Sequence, residues 1–214
     1  MPKNIKTISK REFYKIISEH YSVPIIKNII IPFSSSIRRI ILDERKILYR
    51  TAKSIRPKVI LEVGTNYGYT ALGLFVNALY ADVYTIDIYK EMKIGVPIFQ
   101  KTEVFPRKEI GKVFKNKIPG IYQIFGDSRK IATYKTLKGK TIDFAFIDGN
   151  HSLSSVIKDT INVLKFAKNN SIIFWHDFKN YKTVEVETAL DSLLHTKRLK
   201  IFHIDKTWLA FSIL

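Results

Sequence analysis

Apolar residues change their spacing several times along this chain, and each change marks an element. Ile37, Ile40, Ile41, Ile47, Leu48, Ala52 and Ile55 recur at helical intervals, so 37–55 is an amphipathic helix that Pro57 ends. A short apolar run at 59–63 reads as a buried strand. Helical spacing returns at 69–80, and 82–88 is a strand built on the β-prone Val83-Tyr84-Thr85-Ile86. Further strands are expected at 121–125, 142–147 and 171–175. A helix at 153–167 carries Val156, Thr160, Val163, Leu164 and Ala167 on one face, and another spans 184–194. Two closing strands, 199–204 and 208–213, are split by the turn Asp205-Lys206. Strand and helix alternate, so the pattern predicts an α/β fold with a mostly parallel, doubly wound sheet.

Two stretches depart from this rhythm. Residues 1–35 read as an accessory segment preceding a domain over 36–214. Within it, 11–20 forms a short helix, and Pro24, Lys27 and Pro32 interrupt the apolar run 23–33. That run is a substrate lid, a membrane-touching element or a strap packed on the domain. Ser34-Ser35-Ser36 supplies a turn and a helix N-cap. Residues 89–119, with Pro97, Pro106 and Pro119, form an insertion long enough to suggest function.

Composition narrows the class. With 214 residues and 46% apolar content, the chain can bury one sizeable core. It has no cysteine, which excludes disulfides and thiolate metal sites. No apolar run approaches the roughly 18–20 residues of a bilayer span, and no secretory leader is recognisable. A soluble, cytoplasmic protein is the default expectation, and a homo-oligomer is compatible with it. The net charge is +17, from 36 basic and 19 acidic residues. One reading is a polyanionic partner such as nucleic acid, an anionic membrane surface or a phosphorylated sugar. The other is a Lys- and Ile-rich background, because the lysines are spread along the chain and no nucleic-acid-binding module is present. Lys90, Lys93, Lys101, Arg107, Lys108, Lys112, Lys115 and Lys117 crowd the insertion, as a solvated face or a greeting for an anionic substrate.

The candidate chemistry sits where predicted strands end. Glu62 closes the first strand, and Gly64-Thr65-Asn66-Tyr67-Gly68 leads straight into a helix. The loop lacks the middle glycine of the dinucleotide fingerprint, since Asn66 stands there. A ligand without phosphates does not need that close approach. Gly64 would allow the turn, Gly68 would let helix pack on strand, and the first helical N–H groups would receive a carboxylate. Asp87, about twenty residues on, suits a pair of ribose hydroxyls. Gly126-Asp127-Ser128 is either an adenine contact or a turn with a helix cap. Asp148-Gly149-Asn150-His151 and His176-Asp177 each follow an apolar strand. Two carboxylates and two imidazoles would converge there. They would hold a hard divalent cation on Asp148 and Asp177 with His176 as third ligand, or His151 would remove a hydroxyl proton. Equally, Asp148 would only cap the helix at 152. His195 and His203 lack acidic companions and read as structural.

These segments resemble a known family. Leu61-Glu62-Val63-Gly64 through Thr70, Tyr84-Thr85-Ile86-Asp87, Gly126-Asp127-Ser128, Phe146 through Ser152, and Ile172 through Asp177 are similar to class I S-adenosylmethionine-dependent methyltransferases. The likeness is narrower to the methyltransferase 24 family. It covers roughly residues 55–214. It implies a Rossmann-like, seven-stranded sheet with an antiparallel last strand, which the closing hairpin fits. It implies that Glu62, Gly64, Thr65, Gly68 and Thr70 surround the methionyl part of the cofactor. Asp87 would bind ribose, and Asp127 and Ser128 would lie near adenine. Related sugar and catechol enzymes hold magnesium with acids after the fourth and fifth strands. Asp148 and Asp177 match two such positions, whereas His176 stands where the sugar enzymes have an aspartate. The resemblance implies O-methylation of a small molecule or sugar hydroxyl, with His151 and Asp148 at the reaction. The alternatives are a nucleic-acid methyltransferase, which the charge favours, and a non-catalytic module that keeps the cofactor fold.

Overall fold

The computed structural model describes residues 5–33, 39–92, 104–115, 118–180, 182, 184–196 and 199–214. The expected cap at Ser34-Ser35-Ser36, Ile37, Pro97 and three insertion lysines (Lys93, Lys101 and Lys117) lie outside the described residues.

In chain order the elements are β1 (Lys6–Ile8), α1 (Lys10–Tyr21), α2 (Arg39–Ile55), β2 (Val59–Val63), α3 (Tyr69–Asn77) and β3 (Asp82–Asp87). Then come β4 (Ile121–Phe125), β5 (Ile142–Ile147), α4 (Leu153–Leu164), β6 (Ala167–Trp175), α5 (Val184–Thr196), β7 (Phe202–Ile204) and β8 (Ala210–Ile213). One sheet takes them in the order β1-β7-β8-β6-β5-β2-β3-β4. Seven strands are those the periodicity predicts. β8 is antiparallel to both its neighbours, β6 and β7, and the other pairings are parallel. The eighth strand, β1, extends the sheet beyond β7, pairing Lys6 with Phe202 and Ile8 with Ile204. Three residues are too few for a period, which is why the pattern did not announce it.

Alternation along each strand sorts side chains onto two faces. Leu61, Val63, Ala145, Ile147, Ile173 and Trp175 join one buried cluster with α4 and α5. Ile60, Phe144, Phe146, Ile172 and Phe174 join the other, against α1, α2 and α3. The amino-terminal helix belongs to this second layer. Ser9 and Glu12 form a reciprocal capping box at its start. Phe13 packs edge-on to Phe211, with ring centroids 4.8 Å apart. The segment 23–33 is an irregular strap tied down by polar bonds. The Ile26 N–H donates to Ser54 Oγ, and the Ile30 N–H and carbonyl pair with the Asn77 amide.

Two helices end earlier than their apolar spacing suggests. α3 stops at Asn77, whose side chain is committed to the strap, and Tyr80 has a positive φ of 72°. α4 stops at Leu164 because Ala167 pairs with Ile142 and begins β6, four residues before the predicted strand. Among the described residues, no helix is long and apolar enough to cross a membrane.

Strand order reverses between β2 and β5, and a crevice opens at their carboxyl ends. If the amino-terminal helix is integral to the core, Phe13→Ala costs about 3–5 kcal/mol of unfolding free energy. Urea denaturation measures this, and a loss near zero would show that α1 only rests on the surface.

Candidate active site

Backbone hydrogen bonds bring three strand ends together at the crevice. The Asp148 N–H donates to the Val63 carbonyl at 2.8 Å, and the His176 N–H to the Ile147 carbonyl at 3.0 Å. Gly64 has a φ of +95°, and a Cβ there would lie 2.0 Å from the Asp148 carbonyl oxygen. Glycine is therefore required for the β2 and β5 loops to touch. Gly68, with φ +90°, is closed over by the Phe114 ring in the same way. It begins α3 without a side-chain cap.

A cavity of about 300 Å³ lies over this junction. Its floor is the loop 64–70, including Thr65 and Thr70, together with Phe146, Asp148 and His176. Its wall is α2, through Ile41, Glu44, Arg45 and Leu48. Glu62 is buried beneath the loop, and one of its oxygens accepts from the Thr85 hydroxyl. Its other oxygen, Oε1, is buried with no partner among the described residues. Burial pushes the Glu62 carboxyl up to about 8. Asp87 receives the Asn66 N–H at 2.8 Å. Burial raises its pKa against the opposing pull of that N–H and those of Ile88 and Thr65.

Beside the cavity five ionisable groups form one network. His151 Nε2 lies 2.9 Å from Asp177 Oδ2 and 3.7 Å from Asp148 Oδ1. His176 Nδ1 lies 3.3 Å from both Asp148 Oδ1 and Asp177 Oδ1. Its Nε2 meets Glu44 Oε2 at 3.0 Å, and Glu44 Oε1 accepts the Trp208 N–H at 2.6 Å. The contacts of His151 Nε2 and His176 Nδ1 are close ion contacts without hydrogen-bond alignment. Burial alone would lower both imidazoles and raise both aspartates. The mutual pairing outweighs it. His151 rises to about 9 and His176 rises well above its ordinary value, while Asp148 and Asp177 are held below the usual carboxylate range. At neutral pH His151 is thus an imidazolium, not the neutral ring that a base near pH 7 requires.

The ligand atoms of Asp148, His151 and Asp177 lie within 4.8 Å of one another. This groups His151 with the two carboxylates, where the sequence pattern suggested His176, which is committed to Glu44. Two oxygens and one imidazole nitrogen suit Mn²⁺ or Zn²⁺ better than Mg²⁺, which prefers oxygen ligands. Asp148 does not cap α4, because Ser152 does so through the Ser155 N–H.

Asp127 and Ser128 sit apart from this cavity. Asp127 caps a short 3-10 helix and is gripped by Arg129, whose Nε and Nη2 donate to its two oxygens at 2.8 and 2.7 Å. It borders a second cavity with Arg129, Lys130, Lys158 and Asn162. Glu44 and Arg45 were not among the residues picked from the sequence. Only Glu44 left a signal: it falls on the apolar stripe of α2 between Ile41 and Leu48, where a charge needs a reason.

The chain matches the methyltransferase-domain family over residues 61–178. No curated protein matches it by sequence. Several solved structures share its fold. SAH-bound methyltransferase PaMTH1 of Podospora anserina is 15% identical with a TM-score of 0.61, over 96% of this chain and 97% of that one. An O-methyltransferase of Bacillus cereus in complex with SAH is 14% identical with a TM-score of 0.56, over 97% and 93%. CalS11, a TDP-rhamnose 3′-O-methyltransferase of calicheamicin biosynthesis, is 17% identical with a TM-score of 0.58, over 95% and 93%.

Glu62 provides a pH test of the site. The folded state holds its proton up to about pH 8, whereas the unfolded chain releases it near 4.5. Stability therefore falls as pH rises between these values, because the unfolded state binds fewer protons there. The stability difference between wild type and Glu62→Gln should shift in favour of the variant from pH 5 to pH 9. Parallel denaturation curves across that range would contradict the burial argument.

Proposed function

The chain belongs to the methyltransferase-domain family, and we propose that it moves the methyl group of S-adenosylmethionine to a hydroxyl of a small molecule or sugar. The observation that carries this reading is one cavity bordered by both the 64–70 loop and the Asp148–His176 side of the charge network. Cofactor and acceptor would meet there. The sugar O-methyltransferase among the structures of the same fold supports the acceptor class by analogy.

The methionyl part would lie on Gly64, Thr65, Gly68 and Thr70. The unpartnered Glu62 Oε1 would accept from its ammonium group, which satisfies a buried oxygen. Asp87 would take the ribose hydroxyls. Asp127 Oδ2 receives one Arg129 bond and keeps a lone pair for the adenine amine, with Ser128 beside it.

The cofactor supplies an already activated methyl group, so the protein must align acceptor and sulfur and remove one proton. His151 stands beside the Asp148 carboxylate and is the group for that proton. Its two carboxylate neighbours hold it charged up to about pH 9, and it accepts a proton only once deprotonated. A divalent cation on Asp148 and Asp177 would neutralise those carboxylates and so lower the proton affinity of His151, and two carboxylate donors suit magnesium or manganese.

Calorimetry with S-adenosylhomocysteine should show micromolar binding that Asp87→Ala weakens at least tenfold, a loss of about 1.4 kcal/mol. NADH is the control ligand. Preference for NADH, or no binding of the thioether, would end the cofactor assignment. With an acceptor found by screening hydroxylated small molecules and sugars, metal-free turnover should climb with pH toward about 9. His151→Gln should lower kcat by about 10²–10⁴-fold without changing S-adenosylhomocysteine affinity. A pH profile that His151→Gln leaves unaltered would remove His151 from proton transfer.

A further inference from the structure

Arg45 is a cation in the cavity wall with no ion-pair partner among the described residues. It projects from α2 into the cavity wall, opposite the loop 64–70. Its guanidinium carbon lies 5.5 Å from the centre of the Tyr69 ring, the first residue of α3. Its Nε is buried without a hydrogen-bond partner. Among the described residues, no carboxylate oxygen lies within ion-pair distance of it. The nearby acid is Glu62, which burial keeps protonated up to about pH 8 and hence neutral at physiological pH. A guanidinium half-buried and uncompensated is costly unless a ligand completes it.

The position of Arg45 identifies the kind of ligand. It stands by the start of α3, where the first-turn N–H groups have no intrahelical partner and Gly68 provides no side-chain cap. Tyr69 offers its face to the guanidinium, which orients the planar fork. Both features favour a small planar anion, and a carboxylate takes two parallel bonds from arginine.

We propose that Arg45 is the clamp for the α-carboxylate of the cofactor's amino-acid tail. The assignment rests on the cofactor placement given above and adds a residue outside the matched segment 61–178. Arg45 is a binding residue in this role. It fixes the tail so that the sulfur is presented toward the Asp148 side of the cavity, and it takes no part in proton transfer. It also explains why α2 lies across the mouth of the 64–70 loop. The helix delivers a guanidinium to the side of the cavity that faces the 64–70 loop.

The test compares two ligands that differ only in the tail. S-adenosylhomocysteine carries the amino-acid carboxylate, and 5′-methylthioadenosine is the same nucleoside thioether without it. Calorimetry is run on wild type, Arg45→Ala, Arg45→Lys and Asp87→Ala. Arg45→Ala should weaken S-adenosylhomocysteine by about 10- to 100-fold, the scale of a charged hydrogen bond pair. It should leave 5′-methylthioadenosine unchanged. Arg45→Lys keeps the charge and loses the fork, so its loss should be smaller and confined to the same ligand. It also serves where the alanine variant does not fold. Asp87→Ala should weaken both ligands. Unchanged S-adenosylhomocysteine affinity in Arg45→Ala, or equal weakening of both ligands, overturns the clamp while the cofactor site stands. Failure of wild type to bind either compound overturns the cofactor placement and the clamp with it.

Discussion

No side chain can stand at position 64. The Asp148 carbonyl oxygen occupies the space where a Cβ would be, 2.0 Å from its ideal position. That contact sets the distance between the loops after β2 and β5, and so between the cradle at 64–70 and the carboxylates at 148 and 177. The Asp148 N–H to Val63 bond holds the same two loops from the other side. A wider junction would separate the 64–70 side of the cavity from the acid–imidazole side by the thickness of a methyl group. Alignment in methyl transfer is sensitive at that scale.

Charge is arranged around this junction in two separate groups. Glu44, Asp148 and Asp177 surround His176, and the same aspartates border His151, so cations and anions nearly cancel within a few ångströms. A buried network of this kind is costly to break, because removing one member strands its partners in a medium of low polarity. Glu44 anchors it, since its second oxygen is fixed by the Trp208 backbone just before β8. The antiparallel end of the sheet thereby positions a residue of α2. Arg45, the next residue along, turns toward the loop and remains outside the balance.

Much of this was readable from residue order. The bounds of β2 and β5 follow from largely apolar runs, because a central parallel strand is buried on both faces. Glu62, Gly64, Asp87, Asp148, His151 and Asp177 were legible because strand ends in such a sheet converge by topology. Other features were not legible, for physical reasons. Asn77 ends α3 by bonding to Ile30, a partner 47 positions away that no local window contains. That Asp127 caps a 3-10 helix while Arg129 folds back onto it depends on side-chain geometry that residue order does not show. The protonation of His151 depended on two carboxylates from different loops. Arg45 looked like one more surface cation in a chain of 36 basic residues until the fold placed Tyr69 beside it.

The pairing of β1 with β7 joins the two ends of the chain, with Thr7 and His203 in contact across 196 positions. Translation delivers β1 some 196 positions before its partner β7. Until then Phe13 and Ile17, both fully buried in the finished protein, have neither Phe211 nor Phe174 to pack against. The growing chain therefore carries an unpaired apolar helix until those partners emerge, and the β1 edge of the sheet cannot close before β7 has been made.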